Sequence, residues 1–506
     1  MAFIDARTLP EATEIEADLV IIGGGMAGIA IAKQWIASGK SVAILESGGR
    51  EMDMEIQALY AGGGVMRAPG NPDRNIDDYL IQSRVRRYGG SGNVWGGKCV
   101  PLDEADFAPR AWIDRSGWPV TRAEMQPFYD RACDLLQIPR FDRDWDSNPD
   151  AARPPLAIGD DFFAAPRVFT ALSGEVDRPR FDAWCNAFVE GADNIRVYLH
   201  ANVTAIRLHR NGRQVEALGV ACLNGRRHTA RGRAYVLATG GIENVRLLLA
   251  SGGIGNHGDL LGRCFMGHVT FGVYENADGL NTMLCVSDGQ NMSLYTNNSR
   301  DIAHCVIAST LEGQRRFGAG NFTTTLFDSE TAPPPEDAAV LALASQLDAG
   351  GASARRHFCF FMSEHLPNLE SRLMLAPEHT DALGTPRVFL DWVYSERDLD
   401  SLERSIAALG DALGAAGKGR IRWPVDRSSL LSILSMSRHH IGMTRMHRDP
   451  EHGVVDENCR VHGVRNLYIA GTSVFPTSGI ANPTLTLTAL CLRLSDHLKR
   501  QMGVRA

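Results

Sequence analysis

A glycine-rich loop between an apolar strand and a helix, near the start of the chain, most constrains the fold. An acidic residue and an apolar run at 18–22 predict a strand, and Gly23, Gly25 and Gly28 follow in a GxGxxG pattern. In such a unit the first glycine permits a tight turn, the second lets the backbone approach a pyrophosphate, and the third lets the helix pack on the strand. The pattern predicts a dinucleotide at the helix N-terminus.

The next predicted strand strengthens this interpretation. It covers residues 41–45 and ends at Glu46, 18 residues after Gly28. A carboxylate at that place accepts hydrogen bonds from the ribose hydroxyls of a dinucleotide. A purely structural turn requires neither the strand nor its terminal acid, so we predict binding of NAD or FAD.

Later segments predict further parts of the same domain. Residues 196–208 predict one strand and 214–224 its return, joined by a turn at 211–212. Residues 234–238 predict a strand that leads into an amphipathic helix starting near Glu243. A chain of 506 residues, 44% hydrophobic and 22% charged, exceeds the usual span of one compact domain, so we expect two.

Charge and hydropathy argue against several kinds of partner. The net charge is −7 and charges of both signs are interspersed, so no basic stripe for nucleic acid is present. The longest apolar stretch, 19–32, is broken by three glycines and is shorter than the roughly 20 residues of a membrane span. The first residues lack an export signal. We therefore expect a cytoplasmic protein with small-molecule partners and no membrane span.

Two compositional features carry weaker predictions. The 10 cysteines lack the close pairs of a zinc or redox site, so we expect buried, reduced thiols and no metal. Residues 312–356 contain three consecutive prolines and many small residues, which predicts an irregular insertion. It is either a mobile loop or an inert surface excursion.

The C-terminal segment combines a strand, a glycine and a helix. Residues 467–470 predict a short buried strand, Gly471 follows, and a helix begins near Pro483, just after Asn482. A helix N-terminus directed at a flavin would stabilise the negative charge that reduction creates there. Taken alone, Asn482 is explained as well by an ordinary N-cap.

Four motifs together resemble the glucose-methanol-choline (GMC) oxidoreductase superfamily, in particular its pyranose oxidase and sugar 3-oxidising branch. The resemblance implies an α/β fold with a discontinuous Rossmann-type FAD-binding domain at 1–77, 195–269 and 425–506. It also implies a sheet-based substrate domain at 78–194 and 270–424. The motifs are GGSGNVWGG at 89–97, YVLATGGIENVRLLLAS at 235–251, HHIGMTRM at 439–446 and GVVDENCRVHGVRNLYIAGTSVFPTSGIANPTLT at 453–486.

The resemblance also implies the catalytic residues. The family's histidine three residues before a glycine falls on His439, which we expect to be the base that takes the hydroxyl proton. Asn482 is expected to hold the substrate oxygen and orient the reacting carbon. His440 is the competing base, and His268 is expected to be structural or close to the flavin.

The expected cofactor is non-covalent FAD. Relatives in this branch carry a histidine, before the tryptophan of the first motif, that links to FAD, whereas this chain has Val94 before Trp95, and valine has no nucleophile. Asn93 is expected to hydrogen-bond the flavin, and Gly96 to lie near its reactive face. The expected cofactor contacts are Gly23, Gly25, Met26, Gly28, Glu46, Ser47, Gly90, Asn93, Gly96, Val203, Ala238, Gly471, Pro483 and Thr484.

The expected reaction is oxidation of a secondary alcohol of a sugar or glycoside. A steroid or aromatic natural-product alcohol in the same site is an alternative, as are a non-oxidative lyase and a non-catalytic flavin-binding module. The electron acceptor (oxygen, a quinone or another) and the oligomeric state are left open. Glu364, His365 and Asn368 either face the substrate or lie on a polar sheet exterior, so we leave them out of the catalytic set.

Overall fold

The computed structural model describes the chain in seven stretches, which form three β-sheets and the helices around them. Among these residues, no helix combines the length and the apolar character that crossing a bilayer requires. The described residues are 2–141, 157–170, 181–271, 284–287, 303–328, 355–422 and 427–505.

Strands occur along the whole described chain. In chain order they are β1 (Phe3–Asp5), β2 (Glu14–Ile22), β3 (Val42–Leu45), β4 (Gly63–Arg67), β5 (Arg74–Asn75), β6 (Lys98–Cys99), β7 (Phe162–Phe169), β8 (Ile195–Leu199), β9 (Asn202–Leu208), β10 (Val215–Ala221), β11 (Arg227–Leu237), β12 (His268–Phe271), β13 (Leu284–Ser287), β14 (Ala303–Ser309), β15 (Phe322–Asp328), β16 (Arg355–Glu364), β17 (Arg372–Thr380), β18 (Pro386–Val393), β19 (Gly419–Arg422), β20 (Leu434–Met436) and β21 (Leu467–Ile469).

The α-helices alternate with these strands. In chain order they are α1 (Met26–Gln34), α2 (Met54–Gln57), α3 (Asp77–Gln82), α4 (Glu104–Phe107), α5 (Arg122–Leu136), α6 (Phe181–Glu190), α7 (Gly241–Ala250), α8 (Leu311–Phe317), α9 (Glu396–Ala415), α10 (Leu430–Ile433) and α11 (Thr484–Gln501).

The first sheet has the strand order β1-β8-β3-β2-β11-β10-β9, with β21 also paired to β11. The pairs from β1 to β11, and the pair of β11 with β21, are parallel. All four residues of β3 are buried and apolar, as a parallel strand covered on both faces requires. Helix α1 packs against α11. This sheet therefore brings the ends of β2, β3, β11 and β21 to one edge.

One strand prediction in this sheet is wrong. Residues 196–208 form two strands, β8 and β9, rather than one. The chain breaks at His200, whose φ of 57° is left-handed and incompatible with a continuing strand. Strand β8 pairs with β3, while β9 pairs with β10 at the opposite edge of the sheet.

The second sheet is built from antiparallel pairs in the order β19-β13-β16-β15-β14-β7-β6, with β12 between β16 and β20. The predicted irregular insertion at 312–356 is wrong for its first part, which contains α8 and β15. Residues 322–328 form a strand because they pair with β16 along their whole length. Residues 329–354 of that prediction lie outside the described residues.

The third sheet has the order β17-β18-β4-β5, and β4 runs parallel to β18. Strands β4 and β5 come from a range assigned to the FAD-binding domain, and β17 and β18 from a range assigned to the substrate domain. The two-domain division stays a prediction.

Candidate active site

A cavity of about 630 Å³ lies where the parallel strands of the first sheet end. Ile22, Leu45, Ala238 and Ala470, at or just after the ends of β2, β3, β11 and β21, all line it. The carboxyl ends of parallel strands are where α/β sheets bind their ligands. The cavity therefore lies where a sheet of this topology is expected to bind its cofactor.

The glycine loop forms one wall of this cavity. A Cβ on Gly25 would have only the Gly90 Cα within 4 Å, at 3.9 Å, so this backbone is open to a ligand. A Cβ on Gly28 would lie 2.1 Å from the Gly23 carbonyl oxygen, and Gly28 does not line the cavity. Gly28 therefore serves the packing of α1 on the loop.

Glu46 lies at the end of β3 with both carboxylate oxygens already engaged. The backbone N–H groups of Gly24 and Gly48 donate to them at 2.7 and 2.8 Å, and the Ser47 hydroxyl lies 3.3 Å away. Burial raises the pKa of Glu46 despite these hydrogen bonds. A carboxylate has about four lone-pair sites, so acceptor capacity remains for a ribose.

Three helices begin at the cavity without a side-chain cap. The residues that precede α1, α7 and α11 are Gly25, Gly240 and Pro483, and none of them accepts a capping hydrogen bond through a side chain. Uncapped helix N-termini present free N–H groups and a partial positive charge to an anion. Together with the open glycine positions, this wall fits FAD, whose pyrophosphate and reduced ring both carry negative charge.

The segment at 88–97 forms a second wall. A Cβ on Gly96 would meet nothing within 4 Å, and Val94, 56% exposed, lines the cavity. Asn93 is buried and absent from this wall, and its amide donates to the Tyr88 carbonyl at 2.9 Å. The structure does not bring Asn93 to the cavity.

A buried cluster of charges, which the sequence analysis missed, lines another part of the cavity. The Glu243 carboxylate accepts from Arg84, Arg86 and Arg246 at 2.9, 3.1 and 3.4 Å, and Arg246 also pairs with Asp381 at 2.7 Å. Despite burial, these arginines lower the pKa of Glu243 to about 2. The i,i+3 spacing of Glu243 and Arg246 in the predicted helix is the signal in the sequence that could have indicated this cluster.

The two adjacent histidines differ in their contacts. The Nδ1 of His439 lies 2.9 Å from the Nδ1 of His268, and its Nε2 has no hydrogen-bond partner within the part of the chain that the structure describes. The Nε2 of His440 lies 3.0 Å from the Ser83 hydroxyl. Burial lowers the pKa of both His439 and His440 to about 3, so both are neutral near pH 7.

Asn482 lies two residues before α11 and lines the same cavity as His439. Its side chain makes no hydrogen bond with any described residue, so the N-cap alternative does not account for it.

Glu364 and His365, left out of the catalytic set, are fully buried in the protein rather than on a sheet exterior. Arg110 donates to Glu364 at 2.7 Å.

The cavity brings together all the expected site residues except Gly28 and Asn93, while their roles stay predictions. Those on its wall are Gly23, Gly25, Met26, Glu46, Ser47, Gly90, Gly96, Val203, Ala238, His439, Gly471, Asn482, Pro483 and Thr484.

Comparison with known proteins shows what the chain is similar to. A GMC oxidoreductase model matches residues 367–491, and an FAD-binding domain model matches 18–90. The 6'''-hydroxyparomomycin C oxidase of Streptomyces lividus is 27% identical over 96% of this chain and 92% of its own. The chain is thus similar to GMC oxidoreductases, and the resemblance that the sequence motifs carry is confirmed.

Two further comparisons bear on this chain. The C-glycoside 3-oxidase of Microbacterium trichothecenolyticum is 31% identical over 25% of this chain and 24% of its own. A solved structure of a mutated formate oxidase from Aspergillus oryzae RIB40 superposes with a TM-score of 0.61, covering 98% of this chain and 100% of its own at 15% identity. This superposition confirms the predicted α/β fold. The family models and the relatives confirm the FAD cofactor and the assignment as an FAD-dependent oxidoreductase.

Proposed function

We propose that this protein oxidises a secondary CH–OH group of a sugar or glycoside, with His439 as the base and Asn482 orienting the substrate. The observation that carries the proposal is that two groups without a hydrogen-bond partner among the described residues, the His439 Nε2 and the Asn482 amide, line the same cavity. His440 is the weaker candidate because its Nε2 is already bonded to Ser83.

The chemistry requires a proton acceptor and a fixed substrate. Bound FAD supplies the hydride acceptor. The carbinol carbon releases a hydride readily only as its hydroxyl loses a proton, so a neutral imidazole must reach that hydroxyl. His439 is neutral because burial lowers its pKa to about 3. The Asn482 amide donates a hydrogen bond to the substrate oxygen and restricts its orientation.

The substrate class is supported by the names of two relatives, which refer to a hydroxyparomomycin and to a C-glycoside. The competing substrate class is a steroid or aromatic alcohol in the same cavity. A non-oxidative reaction is the competing chemistry. The proposed reaction and these two alternatives differ in which compounds reduce the bound flavin, or in whether it is reduced at all.

The test is anaerobic bleaching of the flavin's visible absorbance by a panel of sugars, glycosides, steroids and aromatic alcohols. We expect a sugar or glycoside to bleach it, His439→Ala to abolish bleaching, and His440→Gln to retain it. Bleaching only by steroids or aromatic alcohols would reject the substrate class. Bleaching that survives in His439→Ala would reject the base.

A second measurement separates the reaction types and the acceptor. Turnover of a compound while the flavin stays oxidised would establish the non-oxidative alternative instead. After anaerobic reduction, adding either oxygen or a quinone shows which compound restores the absorbance. That result assigns the protein as an oxidase or a dehydrogenase.

A further inference from the structure

The base proposed above contacts a second histidine, His268, which does not line the cavity. The rings of His439 and His268 are 4.9 Å apart and nearly perpendicular, at 83°, with their Nδ1 atoms separated by 2.9 Å. His268 is fully buried, whereas His439 lines the cavity. This contact connects the cavity to the second sheet.

His268 is held in place by its own strand. Strand β12 pairs with β16 on one side, where His268 faces Glu364, and with β20 on the other. The backbone N–H of His268 donates to the Ser437 hydroxyl at 2.9 Å. Because Ser437 lies two residues before His439, the same segment that carries the base is tied to His268 twice.

The contact between two imidazoles restricts their protonation. Two Nδ1 atoms at this distance form a hydrogen bond only if one carries a proton and the other offers a lone pair. If His439 accepts at Nδ1, its neutral ring carries the proton on Nε2 and cannot take another there. If His439 donates from Nδ1, its Nε2 has a free lone pair. Only the second arrangement suits a base.

We propose that His268 is a positioning residue that accepts a hydrogen bond from Nδ1–H of His439 and so keeps the Nε2 lone pair of His439 available. The hydrogen bond made by one imidazole nitrogen generally decides which nitrogen carries the proton. The proposal rests on the proposed function for its catalytic consequence, because it assumes that His439 is the base. The tautomer itself does not depend on that function.

The same hydrogen bond favours the base once it has taken a proton. The hydroxyl proton forms the Nε2–H bond of His439, which then carries a positive charge in a buried place. Neutral His268 still accepts from Nδ1–H, and a hydrogen bond from a charged donor is about twice as strong as a neutral one. The hydrogen bond to neutral His268 thus stabilises the protonated form of His439.

The direct test is ¹⁵N NMR of histidine-labelled protein, with His439 assigned from the signals that disappear in His439→Ala. In the wild type we expect His439 to be protonated on Nδ1 and unprotonated on Nε2 at pH 7. His268→Leu removes the acceptor and should yield a mixture of the two tautomers. His268→Asn supplies an amide oxygen near the lost Nδ1 and should restore the wild-type tautomer.

Kinetics provide the second readout. His268→Leu should lower kcat on the order of 10- to 100-fold, as is typical when the partner of a functional histidine is removed, with little change in KM. His268→Asn should recover most of that loss. His228→Asn is the matched control, because His228 is a buried histidine of the first sheet bonded to the Ala6 carbonyl at 3.0 Å. It should leave both kcat and the His439 tautomer unchanged.

The outcomes separate the two hypotheses. His439 protonated on Nε2 in the wild type, or a wild-type tautomer and kcat in His268→Leu, would overturn the positioning role. Because the wild-type spectrum needs no His268 variant, misfolding of His268→Leu cannot hide the result. Activity that persists in His439→Ala would reject the proposed base, yet it would leave the measured tautomer of His439 unaffected.

Discussion

At the scale of single residues, the two cavity histidines make folding sensitive to acid. Burial lowers the pKa of His439 and of His440 to about 3, against 6.5 in an exposed chain. Below pH 6.5 the unfolded chain therefore binds protons that the folded chain does not. The contribution of these groups to the free energy of unfolding is fully present above pH 6.5 and is lost as the pH falls toward 3. The loss is about 1.4 kcal/mol per pH unit for each histidine.

His440→Gln tests this linkage. We expect the variant to lose about 1.4 kcal/mol less stability per pH unit between pH 6 and pH 4 than the wild type, because one titrating group is removed. The measurement is urea unfolding of the flavin-free protein at several pH values. His257→Gln, which removes an exposed histidine, is the control. Equal slopes in His440→Gln and the wild type would show that His440 is protonated in the folded protein.

The residues that could be predicted from the sequence are those whose position follows from a short motif. Gly23, Gly25 and Glu46 lie on the cavity because one strand–loop–helix–strand unit fixes all three. The partners of Arg84 and the burial of Glu364 depend on contacts between residues far apart in the chain. No local pattern encodes such contacts, so the sequence analysis missed them.

At the scale of elements, the unit of β2, α1 and β3 distinguishes two kinds of glycine. A Cβ on Gly28 would meet the carbonyl of Gly23, which is backbone and cannot move aside. Gly28→Ala should therefore destabilise the flavin-free protein by about 1–3 kcal/mol, as overpacking does, and abolish FAD binding. Gly25→Ala has open space and should change flavin-free stability by about 1 kcal/mol or less, yet weaken FAD binding.

Urea unfolding and flavin titration of the two variants measure both effects. If both substitutions destabilised the flavin-free protein equally, the space beside Gly25 would not be open, and this part of the loop would not be a surface for the cofactor. If neither affected FAD affinity, the loop would not bind the pyrophosphate. The wild-type protein is the reference in both assays.

The elements also show why strand predictions failed where they did. Glycines follow residues 18–22 and an acid follows residues 41–45, so the ends of β2 and β3 agree with the prediction, whereas β2 begins four residues before it, at Glu14. The break between β8 and β9 occurs at His200, a residue type that gives no turn signal. Strand β15 was missed because the neighbouring prolines and small residues dominated the composition, whereas its pairing with β16 decides its structure.

At the scale of the whole molecule, the cavity joins segments that are far apart in sequence. Its wall is formed by the glycine loop, the 88–97 segment, the start of α7, the two histidines and the start of α11. A ligand that contacts all of them binds the folded chain and not the unfolded one. FAD should therefore stabilise the entire fold through mass action.

Removal of FAD tests both this stabilisation and the predicted non-covalent attachment. Val94 offers no nucleophile to FAD, so acid precipitation should release the flavin into the supernatant and leave the pelleted protein without flavin absorbance. The flavin-free protein should melt at a lower temperature, and FAD added back at 100 times its Kd should restore about 2.7 kcal/mol, measured by thermal denaturation over a range of FAD concentrations. Flavin fluorescence that stays with the protein on a denaturing gel would contradict the prediction.

Such a result would point to another nucleophile on the cavity wall. The wall contains the side chains of His439, His440 and Tyr60. Substituting each of these three in turn would then identify the attachment site, while Val94→Ala would leave it unchanged.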